Sequence, residues 1–190
     1  MSRSGVANQS RKVNSGLAIS LLILGVVVSS LALVYAMDLK SPLVQMLVVL
    51  VSMGIAFYCG HPLGHFLTAR AYGVGTEYFF LGRSDFRKLE MRPMRVAGRL
   101  LPTIGTKLKK SELLSLPPRK KGYVLGSGVI FSITLAAIQL VYVFIAGFSL
   151  LAVIFAALFL VATLATELLF STEVGDLAKM TGEFKKTHSP

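Results

Sequence analysis

The sequence predicts an all-α polytopic membrane protein: four transmembrane helices, with a basic cytoplasmic insertion containing short β-strands between helices 2 and 3. Two features of composition predict this fold class. The chain has 190 residues, of which 54% are hydrophobic and 15% charged, and its mean hydropathy is +0.68. These values are far more apolar than those of ordinary soluble domains. The charged residues, with a net charge of +11, are grouped in short segments between long tracts that contain no charge.

The uncharged tracts set the number of predicted spans. Residues 13–37 and 41–60 carry no charge, and each tract can cross about 30 Å of hydrocarbon. The third tract, 122–166, is roughly twice as long as a bilayer is thick at about 1.5 Å per residue. We expect it to fold back near Ala146–Ser149. The predicted spans are 16–37, 43–69, 123–146 and 148–170.

The distribution of Lys and Arg predicts the orientation of these spans. Of the 20 Lys and Arg residues, thirteen lie between Arg70 and Lys121, three precede the first span and three follow the last. Lys40 alone lies in the turn between spans one and two. The positive-inside rule then makes the loop 73–121 and both termini cytoplasmic, in a protein integral to the cell membrane.

The domain organisation is simple, because the chain shows no internal repeat. We predict one membrane domain, 16–180, flanked by a polar and mobile N-terminal tail, 1–15, and a C-terminal tail, 181–190. The first apolar stretch is too long for a signal peptide and is predicted to be a retained helix. The single Cys59 excludes an internal disulfide and is adequately explained as a small buried apolar side chain.

The basic loop indicates a membrane surface as its partner. Cations next to a bilayer attract anionic lipid headgroups, so the charge is explained without nucleic acid, which we do not expect as a partner. Within the loop, "VGTEYFFLG" is predicted to form a strand, and "RSDFRKLEMRPMRVAGRLLPTIG" to form short strands or hairpins. "KLKKSELLSLPPRKKG" is predicted to be a basic amphipathic element.

Two histidines are the first candidates for chemistry. His61 and His65 are four residues apart near the end of the second span, so both rings would project from one face of a helix and could share a metal ion. An ionisable side chain within a membrane must be paired or liganded. Zinc is the expected ion for imidazole with carboxylate, given a third protein ligand and one open position. On a solvated helix face the same pair would need no metal.

Three carboxylates lie near the end of the fourth span. Asp176 is the preferred third ligand, because Gly175 permits a bend that would turn its carboxylate back toward the second span. The alternative is a solvated helix end in which Asp176 and Glu173 lie near Lys179. Glu167 lies next to the apolar tract, where it either pairs with an Arg of the loop or lines a polar cavity near the metal.

Three segments resemble sequence motifs of the site-2 protease family, whose members are intramembrane zinc metalloproteases. "HPLGHFLTARAYGV" is similar to the first family motif, in which His-Glu-Leu-Gly-His is followed by a small residue, an Arg and Gly-Val. The matching positions are His61, Leu63, Gly64, His65, Ala69, Gly73 and Val74. "LPPRKKGYVLGSGVIFS" resembles the glycine-rich start of the next core span. "STEVGDLAKM" is similar to the second motif, whose Asp supplies the third zinc ligand; that role falls on Asp176. The resemblance covers roughly residues 43–180.

Pro62 departs from the family pattern at the position that decides activity. The family has a Glu there, expected to activate the zinc-bound water, and loss of such a base typically removes about 10²–10⁴ in rate. Because proline lacks an N–H for the Tyr58 carbonyl, we also expect a kink or a helix start there.

The resemblance therefore implies a pseudoprotease that keeps a zinc site and binds other transmembrane proteins. Two alternatives remain open. One is an active, divergent metalloprotease with Glu167 or Glu173 as the base. The other is an accessory subunit of a membrane complex that binds no metal.

Overall fold

The computed structural model describes residues 11–83, 102–168 and 175–186, which are mostly helical. The elements in chain order are β1 (Arg11–Val13), α1 (Ser15–Ala36), α2 (Pro42–Ala71), β2 (Thr76–Arg83), β3 (Pro102–Leu108), α3 (Lys110–Ser115), α4 (Pro118–Ile145), α5 (Leu150–Thr166) and α6 (Asp176–Lys185). The strands form one antiparallel sheet in the order β1-β2-β3. The prediction of a mainly helical fold with short strands in the insertion is confirmed.

Within the described residues, three helices, α1, α2 and α4, are long and apolar enough to cross a membrane. The fourth predicted span, 148–170, corresponds to α5, which is apolar but has only 17 residues. Its regular turns end at Thr166, and Glu167 and Leu168 form a wider π-helical turn. The structure therefore provides three candidate spans and one shorter apolar helix.

Polar residues and prolines define where the helices begin. Asn14 precedes α1, and its side-chain oxygen accepts hydrogen bonds from the backbone N–H groups of Gly16 and Leu17. Ser149 caps α5 in the same manner. Helix α4 begins at Pro118, earlier than the predicted start at 123, because proline is well suited to the first helical turn. These caps satisfy N–H groups that a helix start would otherwise leave unpaired.

The sheet corrects the prediction that residues 1–15 form a mobile tail. Residues 11–13 of this segment form β1, which pairs with Phe79–Leu81 of β2. The strand predicted from "VGTEYFFLG" is β2, and the side chain of Phe79 is fully buried against α1 and α2. Burial of this aromatic ring anchors the sheet to the helices. Most of the predicted hairpin segment, 84–101, and residues 1–10 lie outside the described residues.

The bundle has two distinct ends. β1 leads into α1 and pairs with β2, which follows α2, so the start of α1 and the end of α2 lie at the same end, here called the histidine end. At the opposite end, the Gln45 side chain donates to the Ala36 carbonyl at 3.2 Å and accepts from the Ser149 N–H at 2.8 Å. This glutamine end joins α1, α2 and the start of α5.

Glycines allow α2 and α4 to pack closely. A Cβ atom added to Gly64 would lie 2.5 Å from the Ser127 carbonyl oxygen and 2.6 Å from the Phe131 Cβ. A Cβ on Gly60 would meet the Leu135 side chain at 2.7 Å. Small residues at such contacts are typical of helix pairs in membranes. The close packing brings the histidine-bearing turn of α2 against the first turns of α4.

We expect Gly64→Ala to destabilise the protein by about 1–3 kcal/mol, because the new methyl group would push the backbones of α2 and α4 apart. Gly54→Ala is the matched control, since a Cβ there would have no atom within 4 Å. Because alanine has a higher helix propensity than glycine, Gly54→Ala should leave the free energy of unfolding unchanged or raise it by up to about 1 kcal/mol. Unfolding by SDS in mixed micelles, followed by circular dichroism, measures both. Equal effects would contradict close α2–α4 packing.

Candidate metal centre

His61 and His65 lie one turn apart in α2, with ring centroids 5.1 Å apart. The sequence predicts a kink or a helix start at Pro62. The helix runs from Pro42 to Ala71 without ending there, so the helix start is wrong, whereas the kink stays a prediction. Pro62 is buried within the helix, and its carbonyl accepts a hydrogen bond from the Thr106 hydroxyl of β3 at 3.2 Å. The surrounding packing therefore holds the proline in a continuous helix, with both imidazoles on one face.

Asp176, the first residue of α6, meets both histidines. Its Oδ2 atom lies 3.0 Å from Nε2 of His61 and 3.0 Å from Nε2 of His65, across sequence separations of 115 and 111 residues. Among the described residues, these three side chains form a group whose ligand atoms all lie within 4.8 Å of one another. The structure therefore brings together the two histidines and the aspartate that the sequence singled out.

Two glycines of α4 receive the helix that carries Asp176. The ring of Phe184 packs against Gly122, and the Sδ atom of Met180 packs against Gly126, each occupying the space that a Cβ atom would need. The four-residue spacing is the same on both helices, so the two contacts lie one turn apart on each. The sequence indicates only that this helix has a glycine-rich start and does not identify α6 as its partner.

An ion pair fixes the same contact. Lys121 Nζ lies 2.9 Å from Glu183 Oε1, and the two side chains are only 15% and 11% exposed. Lys186 also contacts this carboxylate, at 2.7 Å. Because Lys121 is largely buried, loss of Glu183 would leave the charge of Lys121 uncompensated, whereas loss of Lys121 would leave Glu183 paired with Lys186. The first turn of α4 is therefore tied to the C-terminal half of α6.

The second nitrogen of His65 is held by the backbone of α4. His65 Nδ1 donates to the Val124 carbonyl at 3.0 Å, and the Ser127 hydroxyl donates to the same oxygen at 2.8 Å. A hydrogen on Nδ1 leaves Nε2 as the ligand atom, the arrangement usual for metal-binding histidines. His65 thus directs Nδ1 to the Val124 carbonyl and Nε2 to the Asp176 carboxylate.

Gly128 keeps the space beside the two histidines open. A Cβ on Gly128 would collide with Nε2 of His65 and would lie 2.9 Å from Nε2 of His61. This glycine belongs to the same glycine-rich turn of α4 as Gly126, but it faces α2. Any larger residue would fill the space in which the ligand atoms converge.

Two imidazole rings and one ammonium group surround the carboxylate of Asp176. Burial by itself would raise its pKa, but hydrogen bonds from His61 and His65 and the charge of Lys179 hold the pKa well below its usual range. Lys179 Nζ contacts Oδ1 at 2.9 Å, whereas the histidines contact Oδ2. Asp176 is therefore an anionic ligand at neutral pH, with one oxygen directed to the histidines.

The donor set fits zinc. Tetrahedral zinc with bonds of about 2.0–2.1 Å places its ligand atoms roughly 3.3 Å apart, close to the 3.0 Å contacts between Asp176 and each histidine. Two imidazoles and one carboxylate are a common catalytic ligand set, which leaves one coordination position open. The side chains of His61, His65 and Asp176 are 29%, 14% and 18% exposed, so the group is accessible from the His61 side.

Of the two carboxylates predicted as replacement bases, Glu167 lies within the described residues and is not a member of this group. Glu167 is buried, 7% exposed, in the π-helical turn after α5. Glu173 lies outside the described residues. Cys59 is partly buried, and its Sγ atom faces Gly25 of α1. Within the described part of the chain, the three-ligand group consists of His61, His65 and Asp176 alone.

Comparisons with known proteins found no match: no protein-family model, no curated protein and no solved structure matches this chain. The assignment of a metal centre therefore depends on the donor atoms, the Val124 hydrogen bond and the space left by Gly128.

The ligand variants should separate this centre from an incidental cluster. We expect about one zinc per chain in gently purified wild type and almost none in His61→Ala/His65→Ala or Asp176→Ala, because a metal site requires its ligands. His188→Ala removes the remaining histidine and is the matched control. Metal content by mass spectrometry measures each protein. Zinc at the wild-type level in the double variant would contradict the assignment.

Gly128→Ala tests the same site without removing a ligand. We expect its zinc content to fall markedly, because the methyl group would occupy the space next to both Nε2 atoms. Gly54→Ala introduces the same change where no atom lies within 4 Å and should retain zinc. Circular dichroism establishes that both variants remain folded. Full zinc occupancy in folded Gly128→Ala would show that the metal binds elsewhere.

Proposed function

We propose that this protein is an integral membrane protein of the site-2 protease type that retains a zinc centre but has lost the base needed for peptide hydrolysis. The observation that carries the proposal is the contact of one Asp176 oxygen with both His61 and His65. The three residues occupy the positions that the family resemblance assigns to zinc ligands. Zinc bound there would supply an electrophilic centre for a ligand in the open coordination position.

Pro62 accounts for the proposed loss of hydrolysis. A general base must lie within hydrogen-bond reach of the attacking water and must accept its proton. The proline side chain has no group that can do so, and its buried carbonyl is occupied by the Thr106 hydroxyl. The chain would thus hold the metal and orient it through His65 and Val124 without activating water by the family mechanism.

Four membrane crossings remain part of this proposal. Helix α5 starts at the glutamine end, where Ser149 contacts Gln45, and the chain reaches the histidine end again at Asp176. Its 17 residues extend for roughly 25 Å, and 17 is the lower limit for a membrane helix. Four crossings would place the basic residues that flank the helices at the histidine end, on the cytoplasmic side of the cell membrane, where anionic headgroups would contact them.

A binding role for other transmembrane proteins is supported by the outer face of α2. Leu47, Val51 and Tyr58 are exposed, at 50%, 60% and 39%, and lie along one stripe of the helix. The same stripe continues to His61 and His65. A transmembrane segment lying against this face would reach the metal centre directly, so a segment could be bound there without being cleaved.

A second candidate function is proteolysis with a replacement base. The buried carboxyl of Glu167 favours it, because it lies at the histidine end of α5, where an acid could take the role of the missing base. Glu173 would be the other candidate base. In this case the wild-type protein would cleave transmembrane substrates. The single variant His65→Ala would abolish cleavage, and so would whichever of the single variants Glu167→Gln and Glu173→Gln removes the base.

Replacement of Pro62 distinguishes the two functions. We expect no cleavage of a panel of quenched fluorescent single-span peptides by the wild type, and about 10²-fold or more above background by zinc-loaded Pro62→Glu, since a carboxylate is restored beside the metal. Pro62→Gln is the matched control, because it has the same shape without a base. If the wild type cleaves the peptides and His65→Ala does not, the pseudoprotease is refuted and the second candidate is supported. An absence of zinc from the wild type would favour the metal-free accessory subunit.

A further inference from the structure

We propose that the metal centre and Lys179 together form a receptor for a carboxylate ligand; this inference rests on the proposed zinc site. Lys179 lies one turn after Asp176 on α6, and its Nζ atom is 2.9 Å from Asp176 Oδ1. The lysine side chain is 50% exposed, so its ammonium is accessible from solution. Neither the resemblance to proteases nor the ligand set assigns a role to this residue.

The charges of the centre favour an anion. Zinc with two neutral imidazoles and one aspartate keeps one positive charge, and Lys179 contributes another. At the position after the first histidine, a hydrolytic centre of this type carries a glutamate, whereas this chain has the uncharged Pro62. A carboxylate from a ligand would replace the missing negative charge at the open coordination position.

The contacts of Asp176 place the two positive groups next to one another. One carboxylate oxygen faces the histidine nitrogens and the other faces Lys179, so a single carboxylate separates the ammonium from the metal position. An ammonium has three donors, and the contact with Asp176 accounts for one. A ligand carboxylate has two oxygens and can therefore contact metal and ammonium simultaneously. The partly exposed His61 ring marks the accessible side.

The carboxylate could belong to a small acid or to the C-terminus of a peptide. The chemistry recognised is the same, and the size of the remaining ligand distinguishes the sources. Acetate represents the first source, and N-acetyl-Leu-Leu with a free C-terminus represents the second. The corresponding C-terminal amide has the same shape without the charge and is the ligand control.

The experiment uses the full chain in detergent with Co²⁺ in place of zinc, and follows the visible absorption of the metal during titration with each ligand. We expect acetate and the peptide acid to change the spectrum saturably, and the amide to leave it unchanged. Lys179→Met should weaken binding about tenfold, the usual effect of one charge-assisted hydrogen bond. Lys186→Met is the matched control, because Lys186 also pairs with a carboxylate three residues before it on α6 and is 61% exposed.

Each outcome supports or overturns the inference. Tighter binding of the peptide acid than of acetate identifies a peptide terminus as the ligand, and equal binding identifies small acids. Equal weakening by Lys179→Met and Lys186→Met overturns the role of Lys179, because it indicates only a general effect of charge. Stronger binding of inorganic phosphate than of either carboxylate overturns the ligand class. Bound Co²⁺ with no response to carboxylates overturns this inference alone, whereas failure to bind any metal overturns the proposed function with it.

Discussion

The contact between Asp176 and the two histidines of α2 places the strongest constraint on this fold, because it joins side chains more than a hundred residues apart in sequence. The contact needs three backbones in fixed positions: α2 for the rings, α4 for the carbonyl of Val124, and α6 for the carboxylate. None of the three side chains is fully exposed, so an error of one turn in any helix would leave a polar group unpaired. The packing of the histidine end can be understood from this requirement.

Glycines of α4 meet that requirement on two faces of one helix. Gly122 and Gly126 admit Phe184 and Met180 of α6, whereas Gly128 admits the histidine rings of α2. The same helix also provides the Val124 carbonyl between these positions. Because a methyl group at any of these glycines would meet a neighbour, the first three turns of α4 act as the common surface on which α2 and α6 are placed. Metal binding and α6 docking should therefore be coupled.

The sequence predicts those parts of this arrangement that depend on patterns between residues close together in the chain. Uncharged tracts predicted the long helices, and the spacing of His61 and His65 predicted two rings on one face. Asp176 was chosen because a glycine precedes it and because it resembles a family ligand; its geometric contact with both rings agrees with that choice. These predictions depend on helix periodicity and on hydrophobic length, which a single sequence displays directly.

Other features depend on contacts between distant segments and were missed for that reason. The pairing of residues 11–13 with β2 cannot be seen in a segment of only three residues, because the hydrogen bonds that create the strand come from Phe79–Leu81. The buried pair of Lys121 and Glu183 had a weak signal, the spacing of Met180, Glu183 and Phe184 on one face of a short helix. The helix start expected at Pro62 was wrong, since surrounding packing keeps the helix continuous through a residue that local propensity disfavours.

In the proposed function, metal binding and hydrolysis are separable at position 62, where the family resemblance expects a glutamate and this chain has a proline. Every interaction that places the ligands involves side chains or carbonyls other than the side chain of residue 62: the ring nitrogens, the Asp176 carboxylate, the Val124 carbonyl and the glycine contacts. A proline at 62 removes a proton acceptor and one backbone N–H, but it leaves each of these contacts in place. A centre that keeps its metal geometry and loses its base also loses a negative charge. Under the proposed function, we therefore expect the proline to change the ligand preference of the centre, from a water that must be deprotonated to an anion that is already charged.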